Sequence, residues 1–306
     1  MLKTFLLIVV GLTGDAEHAK TFQAWGNTLA QASARLGVPP ERMVYLAEKP
    51  AEGGAPTSGR STREEIAKAL TGFAAEAGPE DLVLITLIGH GTYDGRAPKF
   101  NLPGPDMGPA DFNALLGKLK TKQIVFVNTT SASGPFVAEL SGPGRTIVTA
   151  TRNGAETFAT LFGGFFVDAL TSEAADADKN KRISILEAFQ FAKAETARAY
   201  EREGLLATEH ALLDDNGDKE GIQDPSPTAA DGKVAAVLSL GVAGDDGLPD
   251  DPKLRALHLE RRDLERRVEA LRLLKDSMEP ARYTSELEQL VTAIALKTRE
   301  IRAAEK

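Results

Sequence analysis

Asp81-Leu82-Val83-Leu84-Ile85-Thr86-Leu87-Ile88-Gly89-His90-Gly91 decides the fold. From Asp81 to Ile88 the run is nearly all apolar, without alternation, so it reads as a strand buried on both faces, the pattern of a parallel sheet covered by helices. It stops at two glycines that flank a histidine. A second stretch repeats the design: Gln123–Asn128 is a short apolar run, followed by Thr129-Thr130-Ser131-Ala132-Ser133-Gly134. Open α/β sheets hold their ligands at the carboxyl ends of the strands, and both polar turns are expected there.

Outward from these runs, strands and helices alternate to about residue 210. Lys3–Val10 reads as the first strand, and the Gly11–Asp15 turn leads into a helix over Ala19–Leu36. Val38–Leu46 holds a short strand after Pro39-Pro40. A Gly- and Pro-rich loop, Pro50–Arg60, precedes the helix Thr62–Ala77, with Ser61 or Thr62 as its cap and Glu65 placed for a capping box. Pro109–Leu119 is expected as a helix, Thr146–Ala150 as a strand, and Thr157–Leu170 as a helix with the aromatic face Phe158, Phe162, Phe165 and Phe166. Trp25 and Phe22, at helical intervals, read as core. The alternation predicts an α/β domain, 1–243, with a mostly parallel central sheet flanked by helices. Within it, 213–233 is an acidic loop or linker and Val234–Val242 one more strand.

Residues 244–252 form a breaker-rich linker, and 253–306 a helical hairpin made of Leu254–Met278 and Tyr283–Ile301. Leu257, Leu264, Leu271 and Met278 recur every seventh residue, the spacing of a coiled-coil seam. Such a hairpin can pack within the chain or self-associate with another copy.

The composition narrows the function classes. Of 306 residues, 42% are hydrophobic and 26% charged, the profile of a soluble globular protein. The net charge of −8 opposes nucleic-acid and anionic-membrane partners. Cysteine is absent, which removes disulfides, thiolate metal sites and any thiol nucleophile. Phe5–Val10 is too short for a membrane span and lacks a small-residue cleavage site, so a buried strand explains it better than a leader. A cytoplasmic protein and an exported one that has lost its signal both fit.

His90, held between glycines, is placed to move protons near neutral pH, and the Gly91 N–H to stabilise an oxyanion. The competing reading is a histidine that satisfies a turn. The second turn adds a hydroxyl at Ser131, expected to face His90 from a neighbouring strand end.

The pairing of Gly89-His90-Gly91 with Thr130-Ser131-Ala132-Ser133-Gly134 resembles the caspase/legumain-like group of cysteine peptidases, and so does Thr62-Arg63-Glu64-Glu65-Ile66 before the histidine strand. In that group a His-Gly turn and an Ala-Cys or Ser-Cys turn form a catalytic dyad. Over about residues 3–210 the resemblance implies His90 as general base, Gly91 N–H in the oxyanion hole and Ser131 at the nucleophile position. Gly89, Thr130, Thr149 and Thr151 would line the substrate cleft, and a peptide or protein would be the ligand. The departure is Ser131 itself, where the group has cysteine. The arginine-histidine pair of legumain's substrate pocket has no counterpart, so asparagine specificity is not carried over. A serine needs an aligned base, often oriented by a third group, whereas a thiolate does not. A pseudopeptidase or peptide-binding domain is therefore expected ahead of an active hydrolase using a Ser131–His90 dyad. A natural pseudopeptidase, a conversion to serine chemistry and a deliberate cysteine-to-serine change would all give this sequence, and the lack of cysteine elsewhere favours a natural origin.

Asp176-x-Asp178-x-Asn180-x-Arg182-x-Ser184-x-x-Glu187 matches the ligand spacing of a twelve-residue calcium loop, with Lys181 in place of the turn glycine. The same residues also suit a capped helix start at Ser184 and Glu187. No cofactor is required, and a structural Ca2+ is the one ion suggested. Asp214-Asp215-Asn216-Gly217-Asp218 with Glu220 suits either a bound cation or plain turns, and turns are expected first, because Asn-Gly and Asp-rich stretches are turn signals by themselves. Gly11-Leu12-Thr13-Gly14 fits neither nucleotide fingerprint. His18, His210 and His258 show no metal-ligand spacing. His210 follows Ser131 in the order that an α/β-hydrolase needs, but the first glycine of Gly-x-Ser-x-Gly is missing.

Overall fold

A computed structural model describes residues 3–50, 54–180, 182–240, 249, 251–273 and 278–304. They fall into two compact units, Lys3–Leu240 and the C-terminal helices. In chain order the larger unit carries β1 (Thr4–Val10), α1 (Ala16–Gln31), β2 (Met43–Ala47), β3 (Gly59–Arg60), α2 (Arg63–Glu76) and β4 (Leu82–Ile88). Then come β5 (Gly91–Tyr93), β6 (Pro98–Phe100), α3 (Pro109–Leu116), β7 (Gln123–Asn128), α4 (Phe136–Leu140) and β8 (Arg145–Thr149). It finishes with α5 (Phe162–Thr171), β9 (Ile183–Ser184), α6 (Ile185–Arg202), β10 (Leu212–Asp214) and β11 (Ser239–Leu240).

Seven strands form the central sheet in the order β10-β8-β7-β4-β1-β2-β3. Every pairing is parallel except β10 on β8, so the sheet is mostly parallel with one antiparallel edge. The apolar runs serve both faces at once. Leu6, Ile8 and Val10 join α1, α5 and α6 through Phe22, Leu29, Phe162, Phe166 and Phe189. Phe5, Leu7 and Val9 point the other way, to Ile66, Leu70, Phe73, Phe112 and Phe136 on α2, α3 and α4. Burial of each such side chain contributes about 1.5–3 kcal/mol, which is why runs without polar alternation settle at the centre.

Helix boundaries move where capping chemistry moves them. Asp15 Oδ1 accepts from Glu17 N and His18 N, at 3.0 and 2.9 Å, and starts α1 at Ala16 rather than Ala19. Thr62 is the cap of α2 and accepts from Glu65 N. Pro40–Arg42 forms a short 3-10 turn, so β2 begins at Met43. The helix expected from Thr157 begins at Phe162, because the Glu209 carboxylate, distant in sequence, accepts from Leu161 N and Phe162 N at 2.7 and 3.1 Å. Phe158 is consequently outside the helix and 69% exposed, and the buried aromatic face reduces to Phe162 and Phe166. Of Val234–Val242, only Ser239–Leu240 is strand among the described residues, paired with β9; 241 and 242 lie outside them.

In the C-terminal unit, α7 (Pro252–Leu273) and α8 (Pro280–Ala304) pack on each other, with Lys297 Nζ 2.7 Å from Glu260 Oε2. Leu271, Val268 and Ile301 are buried there, while Leu257, Leu264 and Met278 are half-buried. Most of the expected linker, 244–248 and 250, lies outside the described residues. Among the described residues no helix is long and apolar enough to cross a membrane.

Candidate active site

Parallel register brings the turns to one edge. Val10 pairs with Ile88, and Leu87 with Asn128, so the segments after β1, β4 and β7 leave the sheet side by side. Gly91 sits where the β4 and β7 turns touch. A Cβ there would lie 2.1 Å from the Ser131 carbonyl oxygen and 2.7 Å from Thr130 Oγ1, so only glycine admits this approach.

Ser131 is buried at 3% exposure and its hydroxyl is held by the Gly91 peptide. Ser131 Oγ donates to Gly91 O at 3.0 Å and accepts from Gly91 N–H at 3.2 Å. The N–H expected in an oxyanion hole is thus turned toward the hydroxyl in this state. The next residue, Ala132, has φ +53, a left-handed conformation costing roughly 1–2 kcal/mol in a residue with a Cβ. Its N–H donates to Glu156 O at 2.8 Å, which holds the turn in that shape.

His90 is held from the β1 turn. Its Nε2 lies 3.2 Å from Thr13 O. A carbonyl only accepts, so Nε2 carries the proton and Nδ1 the lone pair, the state a general base requires. Thr13 is itself pinned, because its N–H and Oγ1 both donate to Glu48 Oε2, at 3.1 and 2.9 Å. Phe22 and His18 pack against the His90 ring with centroids 5.1 and 4.7 Å away, and His18 Nδ1 is 2.8 Å from Asp15 Oδ2. Burial, and after it the charge of His18, hold the His90 pKa below the ordinary imidazole value. No hydrogen bond joins the His90 ring to the Ser131 hydroxyl among the described residues.

The expected cleft residues turn inward. Thr130 Oγ1 donates to Asn128 Oδ1 at 2.8 Å and Thr149 Oγ1 to Thr151 O at 2.9 Å. Thr151 Oγ1 accepts from Gly134 N at 3.0 Å. All three threonines are at most 1% exposed, so in this structure their hydroxyls build the turns rather than meet a ligand. Gly89 is buried as well, at φ +146, 3.4 Å from Gly11 N at its would-be Cβ. His210 Nδ1 pairs with Glu156 Oε1 at 2.6 Å, which leaves it bound to a carboxylate and not to Ser131.

Sequence reasoning missed Thr13, Glu48 and His18. Thr13 follows β1, Glu48 follows β2 and His18 lies in the first turn of α1, and only the strand order β4-β1-β2, with α1 entered from the β1 turn, brings them to His90. The position of Thr13 at the end of an apolar strand was the one available signal.

In the acidic loop, carboxylate oxygens of Asp176, Asp178 and Glu187 come within 4.8 Å of one another. Glu187 also completes the capping box with Ser184, accepting from Ser184 N and Oγ, both at 2.8 Å. Asn180 N donates to Asp176 Oδ1 and Asp178 Oδ1, and Arg182 N to Asn180 Oδ1. Lys181 lies outside the described residues.

No curated protein matches this chain. Residues 62–212, which include both the His90 turn and the Ser131 turn, match the family model described as the Peptidase C13 family. Through that segment, on a mostly parallel sheet flanked by helices, the chain is similar to the legumain family of peptidases with their caspase-like fold.

Proposed function

We propose that Lys3–Leu240 is a legumain-like domain that binds peptide or protein ligands at the carboxyl edge of its sheet without effective peptide hydrolysis, with Ser131 at the nucleophile position. One observation carries the reading: the hydroxyl proton of Ser131 is given to Gly91 O at 3.0 Å, inside the protein, and not to His90. A serine needs its base aligned to become a nucleophile, and His90 Nε2 is committed to Thr13 O. Attack would require the hydroxyl to leave both partners on the Gly91 peptide and transfer its proton to His90 Nδ1.

The adjacency of the two turns supports the rival reading, an active hydrolase in which that transfer occurs and the freed Gly91 N–H takes the oxyanion. A fluorophosphonate probe separates the two. No labelling of Ser131 is the expected result; labelling that disappears in His90→Ala would overturn the binding reading in favour of hydrolysis. Ser131→Cys tests the inherited geometry, since a thiol is a few per cent thiolate at pH 7. It should react with a peptide-like, thiol-directed inhibitor, and an inert Ser131→Cys variant that retains the fold would refute the assignment of this position.

The loop Asp176–Glu187 is proposed as a structural Ca2+ loop on the convergence of its three carboxylates. Loss of a calcium-dependent stabilisation in Asp176→Ala is its test.

A further inference from the structure

The acidic run that starts at Asp214 forms turns as its sequence suggests: Asn216 Oδ1 accepts from Asp218 N and Asp218 Oδ1 from Glu220 N, at 2.7 and 2.8 Å. Its first two residues do something else. Asp214 is completely buried and Asp215 nearly so, and the fold brings to them a third carboxylate, Asp231, also completely buried.

The hydrogen bonds bring Asp231 to the turn that Asp214 begins. Asp231 Oδ1 accepts from Asp215 N at 3.0 Å and Asn216 N at 3.2 Å. Asp214 Oδ1 accepts from the next amide, Gly217 N, at 3.0 Å. Burial pushes the Asp214 carboxyl up, and the Ser141 hydroxyl beside it partly offsets this by hydrogen bonding to its charged form. Both Oδ2 atoms are buried and have no hydrogen-bond partner among the described residues. Asp215 is different, because its two oxygens accept from Gly232 N at 2.9 Å and Ala235 N at 2.8 Å and so fasten the loop that carries Asp231.

The principal charges acting here are negative. Asp231 feels Asp215 and Asp214, Asp214 feels Asp218, and burial first, then these neighbours, push the Asp231 carboxyl up to about 6. A buried carboxylate without a counter-charge is among the most costly arrangements in a protein, and orphaned buried oxygens add to it. A cation removes both costs together.

We propose that Asp214 Oδ2 and Asp231 Oδ2 ligate one divalent cation of the hard, oxygen-preferring Ca2+ class, which ties the loop around Asp231 to the edge strand β10. Two carboxylates with neither histidine nor cysteine suit such an ion, whose remaining positions are readily filled by water and main-chain carbonyls. The consequence reaches past the loop. Ala235 O accepts from Leu186 N and Leu238 O from Ile185 N, at 3.1 and 2.9 Å, so the segment after Asp231 holds the start of α6. The ion is structural, and the site is separate from the His90 and Ser131 turns.

The test uses the full chain stripped with EDTA and then titrated with CaCl2, read by calorimetric binding and by melting temperature. At free Ca2+ a hundredfold above Kd, a rise of roughly 5–10 °C is expected for a unit of this size. Asp231→Asn keeps an acceptor for the Asp215 and Asn216 amides but loses the charge. Added to Asp178→Ala, which disables the acidic loop before α6, it should abolish the rise that Asp178→Ala alone retains, while melting, in EDTA, no lower than Asp178→Ala. Absence of Ca2+ binding in Asp178→Ala, or a Ca2+-induced rise that survives when Asp231→Asn is added to it, would each overturn the proposal. Should Asp231→Asn fail to fold, Asp214→Asn supplies the same comparison.

Discussion

Gly91→Ala tests the contact on which the site is built. The added Cβ would sit 2.1 Å from the Ser131 carbonyl oxygen, 2.7 Å from Thr130 Oγ1 and 3.2 Å from Lys99 O. An ordinary carbon–oxygen contact needs about 1 Å more than the first of these, and the atom in the way is main chain, which cannot swing aside as a side chain would. The Ser131 peptide is pinned on each side, by Thr130 N to Asn128 Oδ1 at 3.1 Å and by Ala132 N to Glu156 O at 2.8 Å. Overpacking costs about 1–3 kcal/mol, and separating Ser131 Oγ from Gly91 forfeits two hydrogen bonds of about 1 kcal/mol each. A loss of about 3 kcal/mol lowers the melting temperature by roughly 6–12 °C in a unit of this size. The assay is thermal unfolding followed by fluorescence of Trp25, the chain's single tryptophan, which packs on Phe22 in the larger unit. Gly72→Ala is the control: its Cβ meets nothing within 4 Å, it lies in α2, and the change should stabilise by about 0.5–1 kcal/mol. If Gly91→Ala melts within a degree of the parent, the two turns do not meet as described and the site argument fails.

Further predictions concern ionisation and capping. Because burial and then His18 hold His90 below the usual imidazole range, the ring should stay neutral, and able to act as a base, to a lower pH than an exposed histidine; the unfolded chain takes up the proton first, so His90 should make stability decline as pH falls through about 6.5. An NMR titration of the ring gives the midpoint, His18→Ala should raise it, and a midpoint at or above the ordinary value would refute the packing described. Glu187→Ala should cost about 1–2 kcal/mol in denaturant unfolding with EDTA present, since it removes the capping box at the start of α6 whether or not an ion is bound. The exposed Glu220→Ala should change stability by less than about 0.5 kcal/mol, and equal effects of the two would exclude the capping role.

What could be read from sequence was local in physical origin. Val83–Ile88 and Val125–Val127 are apolar without alternation and so belong at the centre of a covered sheet; Thr62 with Glu65, and Ser184 with Glu187, start helices by contacts three residues apart. His90 and Ser131 stood out because they close such strands. The antiparallel edge β10 and the hairpin of β5 with β6 escaped, since each is three residues long and gains its stability from the neighbour it pairs with.

Which polar atoms meet was decided by tertiary structure alone. Strand order places Thr13 O, and behind it Glu48, against His90, and the β4–β7 register delivers Ser131 Oγ to the Gly91 peptide. Asp231 reaches the Asp214 turn only after the loop between them is folded back. Hydrophobic periodicity specifies that a segment is buried, but a hydrogen bond or a ligand pair depends on ångström-scale placement of groups far apart in the chain. That placement follows from the sum of all strand registers and helix packings, and no single segment encodes it.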